Sequence, residues 1–108
     1  MHTGNMMQLP HRHIERLKTS ALEGSLSVDL GWYQLWPADE IDELNQGYHV
    51  NEFWPDYFAF GSNGGGEMFA YDKDMRVVMI PFISDDPEEI VTLANSWDVF
   101  ETFIESGS

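Results

Sequence analysis

The residues of this chain whose types could do chemistry are a glycine run, several serines, four histidines and a cluster of acids. Gly64, Gly65 and Gly66 have the composition of a phosphate-binding loop, but such a loop leads into a helix N-terminus and usually carries a Lys. Here the glycines lead into Glu67 and a β-forming segment, which favours a turn between two strands. No activating motif surrounds the serines considered as nucleophiles, which are Ser20, Ser25, Ser62 and Ser96.

The histidines are His2, His11, His13 and His49, and three of them lie near the N-terminus. His11 and His13 fall on different faces of the helix expected around them, so they do not converge on one metal ion. The chain has no cysteine, which excludes a thiolate zinc site, a disulfide and a Cys nucleophile. The sequence therefore predicts no metal and no other cofactor.

The densest run of carboxylates follows Pro37. Paired carboxylates can act as acid and base or bind Ca²⁺, but the spacing of a Ca²⁺ loop and its Gly are missing, and acids on one turn are typical of a solvated face. We predict that this run and the acids after it form a protein-binding surface, with a Trp as a candidate aromatic anchor. Its residues are Asp39, Glu40, Asp42, Glu43, Glu52, Trp54 and Asp56.

The charge of the chain is strongly negative, with 19 acidic and 5 basic residues and a formal net charge of −14. Residues 1–18 contain three of the basic residues against Glu15 alone, whereas residues 19–108 contain Lys73 and Arg76 against eighteen carboxylates. A polyanion of this density repels nucleic acid and anionic membranes and attracts basic proteins. General solubility, or adaptation to salt, is the alternative explanation, and the charge does not decide between a monomer and a homodimer.

The length and composition indicate one folded domain. The chain has 108 residues, of which 43% are hydrophobic and 14% aromatic, which argues against disorder. No stretch is long and apolar enough to span a membrane, and the first residues lack the apolar core of a signal peptide. We predict a flexible leader over residues 1–8, a single domain over residues 9–108, and a cytoplasmic location.

The elements that must position these residues include a central β-hairpin. Segment 57–72 alternates aromatic and small residues on both sides of Asn63 and the glycines, which predicts two antiparallel strands with a turn at 63–66. Lys73 and Asp74 then predict a second reversal into a strand over 75–83.

Helices are predicted on both sides of this hairpin. Pro10 begins a first helix with an apolar stripe, and Gly24 ends it; a strand follows at 30–36. A short helix begins at Pro37 and turns Ile41 and Leu44 inward, and segment 45–55 is predicted to be a loop. Segment 86–104 is predicted to be one long helix that packs on the sheet through Ile90, Leu93, Trp97 and Phe100. The fold class is therefore α+β, a mainly antiparallel sheet backed by helices.

The order of these features resembles the SUKH superfamily, which includes the fungal Smi/Knr cell-wall assembly regulators and many bacterial toxin-immunity proteins. The resemblance covers residues 9–104, although the helix that usually precedes the Leu-Pro element is absent and Ser20-Ala21 stands where the family often has Asn-Gly. The residues that carry it are Leu9-Pro10, Leu22-Glu23-Gly24, Leu35-Trp36, Glu40-Ile41, 60–67, Asp72 and 94–100.

The resemblance implies a binding module without a cofactor, and many bacterial members neutralise a toxin, often a nuclease, in the cytoplasm. A basic nuclease groove would attract an acidic surface, which agrees with the charge of the chain. The prediction is thus a non-enzymatic immunity protein that binds a basic toxin domain. A regulatory or scaffold protein acting through protein contacts is the main alternative, and a small hydrolase is a minor one.

Overall fold

A computed structural model describes residues 9–19, 22–26, 31–83 and 86–104, and the predicted leader lies outside these ranges. The strands are β1 (Glu23–Leu26), β2 (Gly31–Leu35), β3 (Phe58–Ser62), β4 (Glu67–Tyr71), β5 (Val77–Pro81) and β6 (Val91–Ala94). The helices are α1 (His11–Thr19), α2 (Ile41–Gly47), α3 (Val50–Phe53) and α4 (Trp97–Thr102), with a 3-10 turn at Pro87–Glu89.

The strands form one antiparallel sheet in the order β1-β2-β3-β4-β5-β6, so each strand pairs with the next one along the chain. After α4 the chain returns to the opposite edge of this curled sheet, where Ile104 forms an isolated bridge with Leu26 of β1. The predicted α+β class with a mainly antiparallel sheet is confirmed.

The central hairpin is also confirmed. β3 and β4 are joined by a turn in which Asn63 Oδ1 accepts a hydrogen bond from the Gly65 N–H at 2.9 Å, and Gly66 has a φ of 120°. A side chain at Gly61 would place its Cβ 2.5 Å from the Gln34 carbonyl oxygen of β2. The glycines therefore allow both the reversal and the close approach of β2 to β3.

The core lies on both faces of the two central strands. All residues of β3 and all of β4 except Glu67 are buried, and consecutive residues of a strand point to opposite faces. On one of these faces, Phe60 and Phe69 contact Phe100 of α4 with ring centroids 6.0 and 5.4 Å apart. Helices α1 and α4 pack together, while α2 and α3 contact each other and β3.

The predicted long C-terminal helix is wrong. Ile90 lies just before strand β6 and Leu93 lies in it. Trp97 and Phe100 lie in α4, a helix of 6 residues. Two β-branched residues, Val91 and Thr92, favour the strand, which pairs with β5. Ser96 then accepts a hydrogen bond from the Val99 N–H and caps the new helix.

Two boundaries in the N-terminal half also differ from the prediction. Helix α1 ends at Thr19, and Gly24 lies inside β1 opposite Tyr33, where an added Cβ would sit 3.2 Å from the ring. Most of segment 45–55, predicted as a loop, belongs to α2 and α3, because Asn45 and Val50 are buried and hold these short helices against the sheet.

Candidate partner-binding surface

Helices α2 and α3 present the predicted acidic residues to solvent. In α2, Ile41 and Asn45 lie one turn apart and are buried at 0% and 1% exposure, so the residues between them on the other face point outward. We call the exposed carboxylates of this corner the acidic surface. Its residues are Asp39, Glu40, Asp42, Glu43, Glu52 and Asp56.

Asn45 fixes α2 to the sheet. Its Nδ2 donates to the carbonyl oxygens of Ile41 and Ala59, both at 2.8 Å, and its Oδ1 accepts from the Ala59 N–H at 2.9 Å. The ladder with β2 ends before this point, after the Trp36 N–H bonds to the Phe60 carbonyl at 2.9 Å. The Asn45 amide therefore takes the place that another residue of β2 would occupy beside Ala59.

We expect Asn45→Ala to reduce the free energy of unfolding by about 1–3 kcal/mol, because it leaves the buried N–H of Ala59 without a partner. Urea denaturation measures this loss, and Asn95→Ala is the matched control because Asn95 is exposed. Equal stability of the two variants would contradict the role assigned to Asn45.

The junction of α2 and α3 has a strained residue in it. His49 has a φ of 58°, in the left-handed region, and its Nδ1 lies 3.3 Å from Glu52 Oε1. A side chain in this region costs about 1–3 kcal/mol, and the surrounding structure has to supply that energy. Val50, which follows it, is fully buried and holds the junction in place.

The predicted aromatic anchor, Trp54, belongs to the core. It is only 7% exposed and packs edge to face on Tyr57 with ring centroids 6.0 Å apart, so it has little surface to offer a partner. The exposed aromatics of this corner are Tyr48 and Phe53, at 47% and 55% exposure. Sequence reasoning missed them because it treated the segment as a loop, and in a helix of 4 residues the spacing of Phe53 from buried Val50 gives no signal of its exposure.

Tyr48 is held in place by ring contacts. Its ring stacks on Trp36 with centroids 5.8 Å apart and lies 4.5 Å from that of Phe82. Because two neighbours support it, Tyr48 is a fixed aromatic surface at the C-terminal end of α2 rather than a freely rotating side chain.

Within the part of the chain that the structure describes, the acidic surface has no Lys or Arg partner. Only Glu52 forms an ion pair there, with His49. No Lys or Arg occurs between Lys18 and Lys73 in the sequence. The charge of these carboxylates is therefore available to a cationic partner.

The arginines are used elsewhere. Arg12 Nη2 and Arg16 Nε of α1 pair with the two oxygens of Glu101 in α4 at 3.1 and 2.9 Å, and Arg12 Nε lies 3.3 Å from Asp98. Arg76 Nε pairs with Asp72 at 2.8 Å across the β4–β5 turn. Burial acts to raise the pKa of Asp72, but hydrogen bonds from Arg76 outweigh it and lower that pKa.

An open cavity of about 360 Å³ lies between α1 and α4. Its lining residues are Arg12, Arg16, Asp98, Glu101, Thr102 and Ile104. Its charged groups are already paired with one another, which leaves no activated nucleophile or base in it. Among the described residues, no group of three or more His, Asp or Glu side chains could hold a metal ion.

Two strongly perturbed ionisable groups, His13 and Tyr71, lie far from the acidic surface along the chain. His13 is fully buried, its Nδ1 lies 2.7 Å from the Tyr71 hydroxyl, and its ring stacks on Trp97 at 4.1 Å. Burial and, secondarily, the charge of Arg16 lower the pKa of His13 to about 3. Burial and then Asp98 raise the pKa of Tyr71. This hydrogen-bonded pair is a neutral core element that joins α1 to β4.

The architecture defines a small α+β domain built on an antiparallel sheet of consecutive strands, with an acidic corner formed by two short helices. The chain belongs to the SMI1 / KNR4 family (SUKH-1), whose family model matches residues 6–102. A search of curated proteins gives no match. No helix in the described ranges has the length and apolar character needed to cross a membrane.

Proposed function

We propose that this chain is a non-enzymatic immunity protein that binds and neutralises a bacterial toxin domain with a basic surface, of the nuclease type, in the cytoplasm. Membership of the SMI1 / KNR4 family supports a protein-binding role, because the family includes toxin-immunity proteins. A nuclease must bind phosphates with cationic groups, and those groups are complementary to a carboxylate-rich inhibitor.

The observation that supports this proposal most strongly is the acidic surface itself. The arginines of the described chain pair with carboxylates outside this surface, and Glu52 alone among the six acids has an ion-pair partner, a histidine. A formal charge of −14 would disfavour compaction, so six exposed acids without a Lys or Arg partner among the described residues fit a binding role.

Tyr48 and Phe53 are the residues that we expect to supply affinity, which charge alone does not provide. Carboxylates raise the rate of association and orient the partner, whereas affinity comes mainly from a few buried aromatic contacts. Both rings are exposed, and Phe53 adjoins Glu52 in α3, so a cationic side chain of the toxin could lie over a ring while it pairs with an acid. We assign the anchor role to these two residues in place of Trp54.

Co-expression tests the function directly. Cells that carry the toxin encoded beside this chain should survive only when the chain is present. Death of the cells despite its presence would reject the immunity role and favour the regulatory or scaffold alternative. Turnover of a substrate by the purified chain would instead favour a hydrolase.

Charge reversal tests the surface. We expect Glu40→Lys/Glu43→Lys to slow association with the toxin by about tenfold or more at low salt and to weaken its salt dependence, because steered encounters depend on these charges. Stopped-flow measurement over a range of salt concentrations gives both quantities.

The matched control is Glu23→Lys/Asp74→Lys, which makes the same change in net charge at exposed positions in β1 and the β4–β5 turn. Slowing by both double variants to the same extent would mean that only net charge matters. Unchanged kinetics in the first double variant would remove the acidic surface from the contact.

A further inference from the structure

The outer edge of β6 is open in the part of the chain that the structure describes. The backbone of β6 forms hydrogen bonds with β5 on one side, and no backbone or side-chain hydrogen bond to a described residue is found on the other. Such an edge presents a row of N–H and C=O groups that can pair with another strand.

Helix α4 follows β6 directly but does not cover this edge. Its Trp97 and Phe100 contact Phe60 of β3 and Phe69 of β4, so the helix crosses over the middle of the sheet. The chain then reaches β1 at the far edge, where Ile104 pairs with Leu26. Within the described ranges, the route of the chain thus leaves the outer edge of β6 uncovered.

The side chains of β6 are suited to strand pairing. The strand is Val-Thr-Leu-Ala, with Val91 49% exposed and Thr92 exposed. β-branched residues favour cross-strand contacts, and neither Lys nor Pro, which natural proteins use to block an edge, occurs in the strand.

The charges around this edge determine which kind of strand can pair with it. Glu88 and Glu89 are exposed just before the strand, Asp98 follows it, and no Lys or Arg occurs from residue 77 to residue 104. Each copy of the chain carries a formal net charge of −14, so pairing of this edge with a second copy would be opposed by repulsion. A strand with cationic ends would be attracted instead.

We propose that the β6 edge is a second binding site, which accepts an extended segment of a partner protein with alternating β-branched residues and flanking Lys or Arg. The segment would add a seventh strand to the sheet. Main-chain hydrogen bonds would supply binding, and Glu88 and Glu89 would select for the cationic ends. This site is independent of the acidic surface proposed above.

The probe for this site is a short peptide in which Val and Thr alternate between terminal Lys residues. Amide hydrogen exchange of the full chain is measured by NMR with and without it. We expect the peptide to protect those amides of Val91–Ala94 that point away from β5 and to leave β1 amides unchanged. A peptide with Glu in place of the terminal Lys should give no protection.

Two valines provide a matched pair of variants. Val91→Lys places a cation on the edge and should weaken peptide binding by about tenfold or more, as an edge Lys does in natural sheets. Val99→Lys makes the same change on α4, where the valine is similarly exposed at 42%, and should leave binding unchanged. Glu40→Lys/Glu43→Lys should also bind the peptide normally, which separates this site from the acidic surface.

Several results would overturn the proposal. Protection in the free chain of the β6 amides that point away from β5 would mean that another part of the chain, or a second copy, already covers the edge. Dependence of this protection on protein concentration would identify a second copy. Equal binding of the Lys and Glu peptides would remove the charge selection. Absence of β6 protection at saturating Lys peptide would exclude strand addition.

Discussion

Trp97→Ala is expected to reduce the free energy of unfolding by about 3–5 kcal/mol, as truncation of a large buried aromatic does. Trp97 is 1% exposed, stacks on His13 and contacts Phe60 and Phe100 with ring centroids 5.9 and 5.5 Å apart. Domains have a total stability of about 5–15 kcal/mol, so this change removes a large fraction of it and should strongly lower the melting temperature.

The control for this prediction is Val99→Ala in the same helix, where the side chain is 42% exposed and the expected change is within about 0.5 kcal/mol. Trp97→Phe should recover part of the loss, because it keeps a ring and removes an indole N–H that has no partner in the described structure. Thermal unfolding of the three variants tests this order of stability, in which Val99→Ala is the most stable and Trp97→Ala the least. Similar melting temperatures for Trp97→Ala and Val99→Ala would show that the Trp97 side chain does not stabilise the core.

The second large effect is a loss of stability in mild acid, caused by His13. The unfolded chain binds a proton at this residue below its ordinary pKa of 6.5, whereas the folded chain does not until pH is near 3. Between these values the unfolded state therefore holds more protons. Stability should fall as pH is lowered, by up to about 1.4 kcal/mol per pH unit.

This slope is measured by urea denaturation at a series of pH values from 7 down to about 4.5, above the range in which most carboxylates protonate. His13→Gln should lower stability at neutral pH but flatten the slope, since no group with a shifted pKa remains at that position. His11→Gln is the control, because His11 is exposed on the same helix, and it should keep the slope. An unchanged slope in His13→Gln would contradict the assignment.

The hairpin was predictable because its signal is local. Asn63 and three glycines demand a reversal, and the flanking residues alternate over the few positions that a strand needs. The helix face of Ile41 was predictable for the same reason. Features whose cause lies within about ten residues of sequence appear in the pattern of those residues.

The C-terminal segment was not predictable in this way. Ile90, Leu93, Trp97 and Phe100 have helical spacing, but the first two belong to a strand region and the last two to a short helix. What decides the strand is pairing with β5, and spacing alone carries no information about that partner. Tertiary pairing thus overrode a periodicity that two short elements produced together.

For the candidate site, the exposure of the acidic residues was predictable from the sequence, but the burial or exposure of the aromatic residues was not. All six predicted acids are exposed, and their clustering is visible in the sequence. Burial of Trp54 and exposure of Phe53 depend on how α3 packs, which a segment of 4 residues does not encode by periodicity. His13 was considered only as a metal ligand, because nothing local indicates that Tyr71 will reach it.

The pairing of Leu26 with Ile104 has a consequence for the order in which the molecule is made. The hairpins of the meander need only neighbouring residues, but Leu26 of β1 and Arg16 of α1 contact Ile104 and Glu101, which lie 104 − 26 = 78 and 101 − 16 = 85 residues further along the chain. Contacts between distant parts of a chain are slow to form. The contact of α1 with α4 must therefore wait until α4 has been synthesised, and in that interval the side of α1 that packs on α4 is open to chaperones.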